Sequence, residues 1–73
     1  MSNREIAIKE LNEMFLDLED ASCHEQGLTI TCHIFGYLNA CKQFNIITES
    51  EAEALSLYAN NKGDRNSRPK FLD

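Results

Sequence analysis

The fold is decided by residues 28–44, which read LTITCHIFGYLNACKQF. The first half, 28–34, alternates apolar residues with Thr29, Thr31 and His33, a period typical of a β-strand. A longer pattern overlaps it, because apolar residues also recur mostly at spacings of three and four: Ile30, Ile34, Tyr37, Leu38, Cys41 and Phe44. The longer pattern predicts a helix over about 30–44. The alternative, an α+β fold with a short strand at 28–34, stays open.

A helix is predicted before this stretch. Ser2 and Glu5 have the spacing of a capping box, in which each side chain satisfies a backbone amide at the start of a helix. The apolar residues that follow, at spacings of three and four, form one face of a helix: Ile8, Leu11, Phe15 and Leu18. Gly27 has the conformational freedom that commonly ends a helix. These signals predict a helix over about 3–24.

A second capping box, Thr48 to Glu51, predicts the start of another helix over 49–60. Ile47 precedes the box and can pack against Ala52 as a hydrophobic staple. Asn61 and Gly63 are helix-stop signals. The predicted fold is therefore all-α, a compact three-helix domain with helices at about 3–24, 30–44 and 49–60.

The two ends of the chain differ in charge. Residues 1–60, the predicted helical domain, carry three basic and ten acidic side chains, a formal charge of −7. Residues 61–73 carry four basic and two acidic side chains, a formal charge of +2, and are polar apart from Pro69, Phe71 and Leu72. We expect this tail to be mobile. An acidic body repels a phosphate backbone, so direct contact with nucleic acid is expected only through the tail. The basic residues concerned are Lys62, Arg65, Arg68 and Lys70.

The chain is 73 residues long, which leaves room for one core of modest stability. Self-association often compensates for this, so a homodimer remains an open alternative. No signal-peptide pattern and no apolar stretch long enough for a membrane helix is present, so a cytoplasmic location without membrane contact is expected.

Metal, cofactor and catalytic sites are not predicted. Cys23-His24 and Cys32-His33 supply four zinc-type ligands, but adjacent residues point in different directions on a helix or strand and seldom reach one ion. Cys32 and Cys41 are instead expected to be core thiols. The three glycines are isolated and cannot build a phosphate-binding loop. A domain of this size also offers little concavity for a catalytic pocket.

The clearest candidate for function is an acidic ridge on the first helix. Four carboxylates recur there at spacings of three, four and three: Glu10, Glu13, Asp17 and Asp20. Such a row is either an ordinary solvated face or a surface that meets a basic groove on a partner. Phe35, which falls beside the main apolar stripe of the second helix, is a second candidate interface residue.

In size, acidity and absence of a catalytic signature, the chain resembles the small accessory proteins of phages and plasmids, including inhibitors of host defence complexes and antirestriction proteins. The resemblance is to a class and implies an inhibitor that occupies a basic nucleic-acid-binding surface of a host protein. The alternative hypothesis is a small dimeric regulator that contacts nucleic acid through its basic tail.

Overall fold

The structure, a computed structural model, describes residues 2–73. It contains three α-helices in that range: α1 (Asn3–Glu19), α2 (His24–Gln43) and α3 (Glu49–Asn60). Two single 3-10 turns follow, at Arg65–Ser67 and Lys70–Leu72. The all-α prediction is confirmed. The alternative strand at 28–34 is wrong, because these residues lie inside α2.

The boundary between the first two helices lies earlier than the sequence predicts. α1 ends at Glu19, and Gly27 belongs to the first turn of α2, where its amide donates to the Cys23 carbonyl. A polar side chain supports this start, because the Gln26 amide oxygen accepts from both the backbone amide and the hydroxyl of Ser22. Gly27 therefore does not end α1. α2 also stops one residue before Phe44, which is 72% exposed rather than part of the apolar stripe.

α3 begins and ends where the sequence predicts. The Thr48 hydroxyl accepts from the Glu51 amide at 3.1 Å, and the Glu51 carboxylate accepts from the Thr48 amide at 3.0 Å. Ile47 and Ala52, the predicted staple pair, are both buried. α1 also begins as predicted, with the Ser2 hydroxyl accepting from the Glu5 amide.

A single core joins all parts of the chain. Its buried residues come from each helix, the α2–α3 connection and the tail: Ala7, Leu11, Phe15, Leu18, Ile34, Leu38, Cys41, Ile47, Ala52, Leu55, Tyr58, Ala59 and Leu72. The rings of Phe15 and Tyr58 are 4.3 Å apart between centroids, which links α1 to α3. The structure describes no helix with both the length and the apolarity that crossing a membrane requires.

Residues 61–73, the tail that the sequence led us to expect to be mobile, lie packed against the helices in the structure. Lys62 and Gly63 turn the chain back after α3 with positive φ angles of 58° and 75°. Leu72 is then buried, with 3% of its surface exposed. The physical reason is the apolar pair Phe71 and Leu72, which completes a core that three short helices leave open.

Hydrogen bonds hold the tail to both α1 and α3. The Arg68 guanidinium donates to the Asn12 side-chain oxygen at 2.6 Å, to the Tyr58 hydroxyl at 3.3 Å and to the Asp73 carboxylate at 3.0 Å. Asn12 in turn donates to the Leu72 carbonyl at 2.8 Å. These bonds place the tail across the seam between the first and third helices.

A salt bridge ties the start of α1 to the start of α3. The Arg4 guanidinium donates two hydrogen bonds to the Glu51 carboxylate, one of them 2.6 Å long. Chiefly because of these bonds, and because of the Thr48 amide, the pKa of Glu51 falls from 4.5 to about 2.

Because the tail is docked, shortening the buried Leu72 side chain should destabilise the fold. Leu72→Ala should lower the free energy of unfolding by about 2 to 3 kcal/mol, because it empties a buried site. Denaturant unfolding measures this change. Leu57→Ala is the matched control, since Leu57 is 58% exposed and should change stability by about 0.5 kcal/mol or less. Equal effects of the two substitutions would show that Leu72 is not docked in solution.

The salt bridge predicts a pH dependence. Because the folded pKa of Glu51 is depressed, its contribution to stability is fully present above pH 4.5 and is lost as the pH falls towards 2. Glu51→Gln keeps an acceptor for the capping box but removes the charge. We expect the variant to be less stable than the wild type at pH 7 and the difference to close by about pH 2. A difference that stays constant with pH would contradict this account.

Candidate functional site

The acidic ridge is fully displayed on α1. Glu10, Glu13, Asp17 and Asp20 are all exposed. None of the four forms an ion pair or a side-chain hydrogen bond with another described residue. Their carboxylates therefore remain available to an outside partner.

The ridge runs between two surface grooves. On the side that faces α2, Asp17 and Asp20 line a shallow groove together with Thr29, Ile30 and His33. Glu10 lies on the same side, near Tyr37. Burial raises the pKa of the Tyr37 hydroxyl, and the nearby Cys41 and Glu10 raise it further.

On the other side, Glu13 lines a second groove beside Leu16 and Phe71. Leu16 is 55% exposed, whereas Ile8, in the same groove, packs partly against the core. The ridge therefore borders apolar as well as polar surface.

The basic side chains that form ion pairs do so away from the ridge. Arg4 pairs with Glu51, Arg65 with Glu19 at 3.4 Å, and Lys42 with Glu49 at 3.7 Å. Counted at about 100° per residue around α1, Arg4 and Glu19 lie on the far side of the helix from the ridge. The fold thus pairs Glu19, Glu49, Glu51 and Asp73 with basic residues and leaves the ridge, like Glu5, Glu25 and Glu53, without an ion pair among the described residues.

The ridge also conflicts with the local electrostatics of its helix. The C-terminal end of a helix carries partial negative charge, which disfavours carboxylates in the last turn. α1 has no basic residue in its last turn, and Asp17, Glu19 and Asp20 lie there or at its cap. Glu13 and Asp17, four residues apart, also repel each other. Charges that are unfavourable for their own helix make this surface a candidate for binding.

Two of the four candidate nucleic-acid contacts in the tail have partners within the molecule. Arg65 pairs with Glu19, and Arg68 is half-buried and bonded to Asn12, Tyr58 and Asp73. Lys62 and Lys70 are exposed on different turns. The structure therefore uses two of the four basic residues to hold the tail in place.

Phe35, the other candidate interface residue, is half-buried against the core and lines a groove between α2 and α3. Leu57 from α3 lies along the same groove and is 58% exposed. Phe35 thus serves the core on one side and presents some apolar surface on the other.

The three cysteines differ from one another. Cys41 is buried as predicted, and burial raises the pKa of its thiol. Cys32 is exposed, so the expectation that it is a core thiol is wrong, because it lies about 160° around α2 from Ile34. Cys23, His24 and His33 are also exposed. Within residues 2–73, no group of three or more His, Cys, Asp or Glu side chains is placed to hold a metal ion.

Comparison with protein-family models, curated protein sequences and solved structures finds no match to this chain.

The apolar edge of the ridge is a feature that the sequence interpretation missed. Leu16 falls outside the stripe of Leu11, Phe15 and Leu18, so its exposure follows from helical spacing alone. The position of Phe71 beside it does not, because it depends on the docked tail.

Neutralising the carboxylates of the ridge should not destabilise the fold. The ridge-neutral variant, Glu10→Gln, Glu13→Gln, Asp17→Asn and Asp20→Asn, should be as stable as the wild type or more stable by about 0.5 to 1 kcal/mol. Neutralisation removes repulsion between neighbouring carboxylates and with the end of the helix. Chemical unfolding at low salt measures the change.

A control variant changes the same number of charges elsewhere: Glu25→Gln, Glu49→Gln, Glu53→Gln and Asp64→Asn. Two of these residues, Glu25 and Glu49, lie in the first turn of a helix, where a negative charge is favourable. The control should therefore lose stability. A loss of more than about 1 kcal/mol in the ridge-neutral variant instead would show that the ridge has a structural role.

Proposed function

We propose that this chain is a small non-catalytic interaction module of the cytoplasm, and that its acidic ridge binds a basic surface of another protein. The proposed target surface is one that otherwise holds nucleic acid, so the module inhibits by occupancy. Inhibition of a host defence complex by a phage- or plasmid-type accessory protein is the setting in which such a module fits.

One observation supports this proposal above the others. The ridge has four exposed carboxylates that form no ion pair within residues 2–73, while four basic residues of the same molecule pair with acidic residues elsewhere. Charges that destabilise their own helix are compensated when a partner supplies Lys or Arg.

The electrostatics of the whole molecule favour the same kind of partner. The formal net charge is −5, so a positively charged protein groove attracts the chain over long range and a nucleic acid repels it. Complementary charge of this kind speeds association and sets orientation more than it raises affinity. Association should therefore slow as salt is added.

The experiment is affinity capture of the tagged full chain from lysate with and without nuclease treatment, with bound proteins identified by mass spectrometry. We expect the wild type to retain a nuclease-resistant protein partner. The ridge-neutral variant should lose it, because its carboxylates provide the contact. The control variant should retain it, although both variants have a formal net charge of −1 after four neutralisations from −5.

Two results would contradict the proposal. Equal retention by the ridge-neutral and control variants would remove the ridge from the mechanism. Recovery of nuclease-sensitive material only, abolished by Lys62→Gln and Lys70→Gln, would favour the alternative regulator that contacts nucleic acid through its tail. These two lysines are suitable because both are exposed and neither forms an ion pair with a described residue.

A further inference from the structure

The groove beside the ridge combines apolar surface with a charged rim. Ile8, Leu16 and Phe71 supply the apolar surface, with Asn12 between Ile8 and Leu16. The charged residues of the lining are Arg4, Glu5, Lys9 and Glu13. Leu16 is 55% exposed, which leaves a large aliphatic side chain in water next to the row of carboxylates. An apolar centre with a polar rim is the usual anatomy of a protein-binding surface.

The groove is a built feature of the fold and depends on the docked tail. Phe71 reaches α1 because the next residue, Leu72, is buried and its carbonyl accepts a hydrogen bond from Asn12. Phe71 also packs partly against the core, which fixes one wall. The opposite wall is α1 itself.

We propose that this groove receives one apolar side chain of a partner's amphipathic helix, whose flanking Lys or Arg residues contact the acidic ridge. The inference rests on the proposed function, because it assigns the chemistry of the partner that the ridge binds. The ridge spacings of three, four and three place about one carboxylate per helical turn, and a helix lying along α1 presents its basic residues at the same repeat.

Charge complementarity selects this occupant over a second copy of the chain. Four basic residues of the described chain, Arg4, Lys42, Arg65 and Arg68, already form ion pairs within the molecule. A second copy would therefore bring a ridge of like charge and few available cations. A basic amphipathic segment supplies both the apolar anchor and the positive charge.

The probe is a synthetic peptide of about 18 leucine and lysine residues, ordered so that the leucines share one face of a helix. A second peptide of the same composition in scrambled order is its control. Titration of the isotope-labelled full chain, followed by NMR, reports both affinity and location. We expect the ordered peptide to shift the amide signals of Ile8, Leu16 and Phe71 and to bind more tightly than the scrambled one.

Three single substitutions test which side chains contribute to the affinity for the ordered peptide. Leu16→Ala should weaken binding of the ordered peptide about tenfold, because it removes the apolar contact. Leu57→Ala, a matched truncation of an exposed leucine on α3, should leave affinity unchanged. Lys9→Gln should strengthen binding a few-fold, because Lys9 is a like charge at the rim of the groove.

The outcomes separate this inference from the proposed function. Suppose that the ridge-neutral variant loses binding of the ordered peptide and Leu16→Ala does not. The groove would then not be the docking site, and the acidic ridge would remain as the binding surface. Signal shifts centred on Phe35 and Leu57 would also overturn this inference, by assigning docking to the groove between α2 and α3. Equal binding of ordered and scrambled peptides would likewise exclude an apolar anchor. Unchanged affinity of the ridge-neutral variant for the ordered peptide would contradict the proposed function, because the ridge would not contribute to binding.

Discussion

The Arg68 guanidinium joins the three parts of the molecule on which the fold depends. It donates hydrogen bonds to Asn12 on α1, to Tyr58 on α3 and to Asp73 in the tail. Its Cζ atom also lies 5.9 Å from the centre of the Tyr58 ring, which in turn packs on Phe15. A chain of this length buries only a small core, and its three cysteines form no disulfide. The docked tail therefore takes the place of a disulfide or metal as the element that closes the core.

The distribution of charge follows from this closure. Arg65 and Arg68 lie where the tail crosses the seam of α1 and α3, and each pairs with an acidic residue there. The ridge points elsewhere and is left with its carboxylates in water. The packing that stabilises the molecule thus also creates one strongly acidic face. The exposed Leu16 and the docked Phe71 add apolar surface at its edge.

The sequence predicted the elements whose signals are local. The capping box at Thr48 fixed both the start of α3 and a buried staple, and the long apolar stripe decided in favour of helix for residues 30–43. The start of α2 was missed, because Cys23 is not a usual capping residue and Gln26 provides the polar support instead. The ridge could be located by spacing alone, whereas the pairing of basic residues away from the ridge depends on long-range contacts such as Arg4 with Glu51. No local pattern reports such pairs.

Backbone dynamics of the tail test the central claim most directly. Residues 65–72 must be held on the helices, since only then are Arg65 and Arg68 paired within the molecule and the groove at Phe71 formed. NMR relaxation should give these residues order parameters near 0.85, similar to those of α1 and α3. Values below about 0.6 across the segment would show a mobile tail. The basic residues would then be available to other partners, and the account of a single acidic face would be wrong.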